Sequence, residues 1–258
     1  MGITGRLGDI ASEVYEKVLL DEVKLYPPPH HLAIITDGNR RFAISHSMPR
    51  DQGHVRGKEK LEEVLEWCRE IGIKVVTVYG FSTENFTRDP DEIKFLFELI
   101  TDSLNELAVD ARVRENSIRI KVLGDTEKLP EKLRAAISNA EKKTGNNRGF
   151  RLNLAIGYGG RAEIVDAVKK IAARVKDGSM DLSGITEETF REYLYDGTIP
   201  DPDLVLRTSG EERVSNFLLW QAAYSELYFS DVNWPDLKKV DFLRAIRSYQ
   251  NRKRRFGS

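Results

Sequence analysis

The sequence predicts a single α/β domain in which a mostly parallel central sheet is flanked by helices. Three observations predict it: six short β-rich runs, helical periodicity between them, and no Gly/Ser-rich linker, repeat or low-complexity segment to divide the chain. Parallel neighbours need crossovers of a dozen or more residues, and the helical stretches supply them. Size does not limit the core, since surface scaling lets a chain of this length bury roughly 73% of its unfolded surface without disulfides or metals.

The elements read in order as follows. Ile3, Leu7, Ile10, Val14 and Val18 recur every three or four residues, which predicts an amphipathic helix over 3–25, ended by Pro27-Pro28-Pro29. Its charges are mixed, so the expected role is packing against the body of the protein, with peripheral membrane contact as the alternative. Strands are expected at 32–36, 73–81, 118–123, 152–156, 204–207 and 227–229. Helices are expected at 56–71, where Leu61, Val64, Leu65, Cys68 and Ile71 share a face and Gly72 stops it, and at 131–143 and 161–176. A helix over 91–114 carries one apolar face, Ile93, Leu96, Phe97, Ile100, Leu104 and Leu107, while Phe95 and Leu99 stand on another, so it needs two apolar surroundings.

Composition excludes several classes. With 40 Lys+Arg against 41 Asp+Glu the net charge is -1, too low for a general nucleic-acid binder. A single cysteine, Cys68, rules out an internal disulfide framework and a cysteine-based zinc site. The longest clean apolar run, Leu32-Ala33-Ile34-Ile35, is far short of a membrane span, and no basic-then-apolar leader opens the chain, so cytoplasmic residence is expected.

In open α/β sheets ligands bind beyond the carboxyl ends of the strands, and there the chemistry concentrates. Asp37-Gly38-Asn39-Arg40-Arg41 follows the first strand, with Arg50 and His54 a little further on. A carboxylate can hold a hard cation, a glycine turn exposes backbone N–H groups, and arginines with a histidine can grip phosphate oxygens. The second strand runs into Phe81-Ser82-Thr83-Glu84-Asn85-Phe86-Thr87-Arg88, and the fifth into Arg207-Thr208-Ser209-Gly210-Glu211-Glu212-Arg213-Val214-Ser215-Asn216. Each residue alone has a bland explanation: a turn, a solvated charge, a helix cap. Together they suggest a metal-assisted diphosphate site, and two separated anion loops imply two phosphorylated substrates. Neither GxxxxGK[ST] nor a complete GxGxxG is present.

These motifs, with Phe217-Leu218-Leu219-Trp220-Gln221 closing the last of them, resemble the cis-prenyltransferases in family order from about His31 to the C-terminus. The resemblance implies a homodimer or paired assembly, a hydrophobic tunnel, and Mg²⁺-dependent condensation of isopentenyl diphosphate onto an allylic diphosphate to give Z double bonds. It implies a helix-and-proline prefix over 1–29 and a catalytic domain over 30–258. Residue by residue, Asp37 would hold Mg²⁺, and Gly38, Asn39, Arg40, Arg41, Phe42, Arg50 and His54 would bind the allylic diphosphate. Arg207, Arg213 and Ser215 match the isopentenyl diphosphate site, Glu226 a residue tied to its Mg²⁺, and Arg255 a tail element reaching that diphosphate in the neighbouring subunit. Phe81, Ser82, Asn85, Phe86 and Arg88 match the loop between the substrates. Asp37, Asn39 and Asn85 carry the catalytic expectation, and the proton acceptor stays open among Asp37, Asn39 and a diphosphate oxygen. Arg40 in place of glycine is the archaeal and eukaryotic pattern. The rival reading is a non-catalytic partner subunit, against which the intact Asp37, Asn39, Arg41, His54, Arg207 and Arg213 set argues.

Overall fold

The computed structural model describes residues 3–252, with side chains from residue 13 onward. In chain order the elements are α1 (Ile3–Lys24), β1 (His31–Ile35), α2 (Asn39–Ser45), α3 (Arg50–Glu70), β2 (Val75–Ser82), α4 (Pro90–Leu107), α5 (Ala111–Glu115), β3 (Ile118–Leu123), α6 (Glu131–Thr144), β4 (Phe150–Tyr158), α7 (Gly160–Lys176), α8 (Glu187–Glu192), β5 (Leu204–Arg207), β6 (Glu226–Phe229) and α9 (Lys239–Asn251), with short 3₁₀ turns between some of them. All six strands pair in parallel in the order β3-β4-β2-β1-β5-β6. The expected strands are therefore all present.

Burial on both faces explains why these strands read as near-continuous apolar runs. Leu32, Ile34, Val76, Val78, Leu204 and Leu206 face Val64 and Cys68 of α3 and Phe242, Leu243 and Ile246 of α9. On the same side α4 and α6 cover β3 and β4 through Leu96, Phe97, Leu104, Leu133 and Ile137. The alternate residues Ala33, Ile35, Tyr79, Ala155 and Val205 face Tyr158, Phe217 and Leu218 on the other side.

Three differences from the sequence expectation have physical causes. The helix expected over 91–114 is two helices, because α4 ends at Leu107 and the Asp110 side chain caps a new one by accepting from the Arg112 backbone N–H at 2.7 Å. Nothing in the strand–helix alternation anticipates α9, which buries Phe242, Leu243, Ala245 and Ile246. In α1, finally, the apolar positions Val14 and Val18 point outward at 57% and 58% exposure, while Leu19 and Val23 are buried. Hydrogen bonds from Gln250 Nε2 to the carbonyls of Val23 and Tyr26 tie the end of α1 to α9. Among the described residues, no helix is long and apolar enough to cross a membrane.

Candidate active site

Register brings the candidate residues together. Ile35 at the end of β1 pairs with Tyr79 of β2 on one side and Arg207 of β5 on the other, so the loops after these strands share one edge. The backbone of Asp37 is pinned there, its carbonyl accepting from Thr208 Oγ1 at 2.7 Å and from the Trp234 N–H at 2.9 Å. Gly38 has φ 107°, and a Cβ on it would lie 2.6 Å from Asn233 Oδ1, so the turn into α2 needs glycine twice over. A Cβ on Gly57 would lie 2.3 Å from Asn39 Oδ1, and this close approach of α2 to α3 sets His54 beside the turn. Beyond Tyr79 the pairing of β2 with β4 shifts register, the kind of irregularity that re-aims side chains next to active sites.

The result is a cleft of about 830 Å³ whose lining includes Asp37, Gly38, Asn39, Arg40, Arg41, His54, Ser82, Asn85, Arg88, Arg207, Arg213 and Ser215. Arg207 is nearly buried, donating from Nη2 to Asp37 Oδ2 at 2.8 Å and from Nη1 to Ser215 Oγ at 2.6 Å and to the Arg213 carbonyl. Ser82 and Asn85 also cap the 3₁₀ turn that follows β2, the Ser82 N–H donating to Asn85 Oδ1 at 3.0 Å. Ser209, Ser215 and Asn216 all adopt positive φ, backbone strain concentrated in the loop after β5.

Sequence reasoning missed two carboxylates. Glu92, buried in the first turn of α4, sits 2.9 Å from Arg88 Nη1, 3.4 Å from His54 Nε2 and 3.9 Å from Arg40 Nη2. Its only sequence signal is the i,i+4 spacing from Arg88. Burial pulls the His54 imidazole below its ordinary pKa, against the opposing pull of Glu92. Glu211 bridges Arg41 and Arg213, the latter at 2.5 Å, and hydrogen bonds from those two arginines hold its carboxyl below the usual range.

Several expected residues lie elsewhere. Phe81 is not at the surface of the cleft but in the core, packed at 5.0 Å and 4.9 Å between ring centroids on Phe86 and Phe97, which accounts for Phe86 as well. Phe42 is buried and packs against the tilted ring of His46, and Arg50 is exposed at the start of α3; neither lines the cleft. Glu226 begins β6, and because its strand is parallel to β5 it pairs with Leu204, roughly 10 Å down the sheet from Arg207 at ~3.3 Å per residue. Its carboxylate there pairs with Arg252 at 2.5 Å, so within one protomer it does not join Asp37. Arg255 lies outside the described residues.

A second cavity of about 410 Å³ adjoins the cleft and shares Thr36, Asn39, His54, Gly80 and Leu96 with it. Leu61, Leu65, Val78, Leu99, Ile100 and Leu104 give it apolar walls. The expected second face of α4 thus serves this cavity through Leu99, whereas Phe95 does not line it. Four buried side-chain polar atoms among the described residues lack a well-formed hydrogen bond, and three of them belong to the cleft: Asn39 Oδ1, Arg207 Nε, and His54 Nε2, which faces the Glu92 carboxylate at 3.4 Å. Native interiors leave few such atoms unpaired, so their clustering marks a place built for a polar ligand.

For a divalent cation the cleft offers the Asp37 carboxylate. No group of three or more His, Cys, Asp or Glu side chains among the described residues could cage a metal. Mg²⁺, however, is commonly bound by one or two carboxylates plus substrate phosphates. Asp37, with a third of its side chain exposed to the cleft, offers that arrangement.

A parallel sheet with two arginine-bearing loops at its carboxyl edge, opening into an apolar cavity, is the arrangement expected of an enzyme that handles a diphosphate on a hydrocarbon tail. The chain belongs to the cis-prenyltransferase family, since the family model described as putative undecaprenyl diphosphate synthase matches residues 35–257. It is 61% identical over 257 residues, all of both chains, to the tritrans,polycis-undecaprenyl-diphosphate synthase (geranylgeranyl-diphosphate specific) of Thermoplasma volcanium. It is 51% identical to the enzyme of the same name from Pyrococcus horikoshii, over 96% of this chain and 94% of that one. Among solved structures, lavandulyl diphosphate synthase from Lavandula x intermedia, in complex with dimethylallyl diphosphate, superimposes with a TM-score of 0.84 at 38% identity, covering 90% of this chain and 99% of that one. The relatives are synthases, and the non-catalytic alternative is set aside: the chain is a cis-prenyltransferase.

Proposed function

We propose that this enzyme condenses isopentenyl diphosphate repeatedly onto geranylgeranyl diphosphate, with Mg²⁺, to give a polyprenyl diphosphate with Z double bonds in the added units. The observation that carries the reading is the continuity of a charged cleft, with Asn39 Oδ1 and Arg207 Nε left unpaired in it, with an apolar cavity. A diphosphate fits the first, a hydrocarbon chain the second. The choice of starter follows the specificity in the names of the 61% and 51% identical relatives.

In this reading Gly38, Asn39, Arg40, Arg41 and His54 bind the allylic diphosphate, and Arg207, Arg213 and Ser215 bind isopentenyl diphosphate. Negative charge builds on the leaving diphosphate as its carbon–oxygen bond lengthens, and donors already aimed at that position stabilise it without reorganising. Mg²⁺ held by Asp37 and diphosphate oxygens would add neutralisation of that charge. Ser82, Asn85 and Arg88 border the space between the two diphosphates. The test is incubation with labelled isopentenyl diphosphate, Mg²⁺ and dimethylallyl, farnesyl or geranylgeranyl diphosphate. Fastest elongation from geranylgeranyl diphosphate, with Z geometry by NMR, is the expected result; no elongation from any starter overturns the reading.

The homodimer belongs to the same proposal. All four residues of the edge strand β6 are only half-covered, which supports a partner on that edge. Light scattering at micromolar concentration checks it. Peripheral membrane contact is assigned to the outward stripe of Val14, Val18 and Leu25, and flotation with liposomes checks that.

A further inference from the structure

Ser209 opens the turn after β5 in a conformation that serine seldom adopts. Its φ of 77° lies in the left-handed region, where a Cβ meets a steric penalty that glycine escapes. Such strain persists only where the surroundings hold it. The Ser209 N–H donates to the Val232 carbonyl at 2.8 Å and the Gly210 N–H to the Ser230 carbonyl at 2.9 Å, which ties the turn to the segment after β6. The buried Ser209 hydroxyl donates to Asn233 Oδ1 at 3.2 Å and accepts from Arg41 Nη1, which also donates to the Ser209 carbonyl at 2.7 Å. A hydroxyl has one proton, so giving it to Asn233 turns the oxygen lone pairs toward Arg41. Asn233 is fixed in its turn: it is seated against Gly38, and the Trp234 N–H beside it donates to the Asp37 carbonyl at 2.9 Å.

We propose that Ser209, aligned by Asn233, is a positioning residue that orders the Arg41 guanidinium for the allylic diphosphate before that substrate arrives. The inference rests on the functional reading above, which gives Arg41 that ligand. Arg41 is half exposed, and a long side chain left to solvent samples many rotamers that binding must then freeze. Ser209 and Glu211 hold it in one. Three of the five guanidinium N–H donors serve those contacts, which leaves two to meet phosphate oxygens. Ordering the donor in advance removes an entropy cost from binding. The strained backbone thereby acquires a use, because a glycine here would relax the turn and leave Arg41 without its hydroxyl acceptor.

Binding of geranylgeranyl thiolodiphosphate, an analogue whose leaving group departs too slowly to react, is read by calorimetry and needs no turnover. Ser209→Gly and Asn233→Leu should each weaken it about tenfold, the size of one hydrogen bond to a charged group. Ser209→Gly/Arg41→Met should bind no worse than Arg41→Met alone, since the serine acts only through the arginine. The KM for isopentenyl diphosphate should stay within about twofold in Ser209→Gly, because Arg207 and Arg213 are untouched. Ser209→Gly should also melt at or above the wild-type temperature, since glycine suits the left-handed backbone. A serine that merely held the turn together would instead lower the midpoint and weaken both substrates alike. That pattern overturns the proposal, as do unchanged analogue binding by Ser209→Gly and additive losses in the double variant. If Arg41→Met weakens the analogue while Ser209→Gly does not, the positioning role fails alone; if Arg41→Met leaves binding unchanged, the functional reading of Arg41 fails first and takes the proposal with it.

Discussion

The two ends of the sheet are built on opposite terms. At the carboxyl end Asn39 and Arg207 each leave a buried polar atom unpaired, His54 Nε2 has only the Glu92 carboxylate at 3.4 Å, and Ser209, Ser215 and Asn216 in the loop after β5 hold positive φ. Toward the amino end polar groups are as deeply buried but linked into a closed network. His31 Nδ1 meets the Pro200 carbonyl at 2.7 Å and its Nε2 meets Thr77 Oγ1 at 2.7 Å. Asn153 Nδ2 donates to the same hydroxyl at 2.8 Å, Arg151 Nε donates to Asn153 Oδ1 at 3.0 Å, and Arg151 Nη2 reaches Asp196 at 2.6 Å. A polar group buried with its partners specifies the fold, whereas one buried without them waits for a ligand. Substitutions at the first end should therefore change chemistry and leave stability alone, and those at the second should do the reverse.

The largest effect is expected at Asp37. Asp37→Asn keeps the shape and an acceptor for Arg207 but removes the charge that would hold Mg²⁺, forfeiting several kcal/mol of stabilisation, on the order of a 10³-fold loss of turnover. Its thermal midpoint should match the wild type. Near-normal steady-state rates at saturating Mg²⁺ would break the contrast at its strongest point.

Phe81 sharpens the comparison because it stands at the chemical end yet belongs to the core, 1% exposed among Phe86, Phe97 and Ile156. Phe81→Ala should cost about 3–5 kcal/mol of unfolding free energy, the usual range for a buried phenylalanine, and show in the denaturant midpoint. At a temperature where the variant is folded, KM for both substrates should change little. A raised KM with an unmoved midpoint would return Phe81 to the substrates.

His31 tests the other end through pH. Burial lowers its pKa from 6.5 to about 4, only partly offset by the hydrogen bond to the Pro200 carbonyl. The unfolded chain thus takes up the proton first as pH falls, so this contribution is complete above about pH 6.5, fades between about 6.5 and 4, and is constant below. Its size is on the order of 3 kcal/mol at 1.36 kcal/mol per unit. Denaturant midpoints across that window should fall with acidification in the wild type and lose that part of the slope in His31→Gln.

Legibility in the sequence divides along the same line. Strands buried on both faces announce themselves as apolar runs, and the loops after β1, β2 and β5 announce themselves by residue type, so the cleft was legible before its geometry. Contacts created only by topology were not. A glutamate in the first turn of a helix ordinarily complements the helix dipole, so nothing in the sequence placed Glu92 against Arg40 and His54. Glu226 stands only ten residues beyond Asn216 in sequence, yet a parallel strand must start at the far end of the sheet, which separates the two. Phe81 packs on the α4 face of β2 with Val78 and not on the opposite face with Tyr79, because the register shift beyond Tyr79 breaks the period of two, and alternation read from the sequence does not reveal such a shift.

The smallest effect on stability and the most selective effect on chemistry are expected together at Gly80. It is the exposed residue of an otherwise buried strand, and it lines both the polar cleft and the apolar cavity. A Cβ there would meet the Ala155 carbonyl oxygen at 3.5 Å and Ile156 Cγ1 at 3.8 Å, ordinary van der Waals contacts. The glycine is therefore not required by the fold, and the open space above it lies where cleft and cavity join. Gly80→Leu should keep its denaturant midpoint, since the added side chain displaces neither backbone nor core. It should also bind both diphosphates normally, because Asp37, His54 and Arg207 are untouched. The branched side chain would instead project into the junction through which a lengthening hydrocarbon must pass, and Gly80→Ala would do so less. Products resolved by chain length should accordingly shorten in the order glycine, alanine, leucine, while the first condensation proceeds at close to its normal rate. Full-length products from Gly80→Leu would mean that the chain leaves the cleft by another route, and a slowed first condensation would mean that Gly80 belongs with the diphosphates.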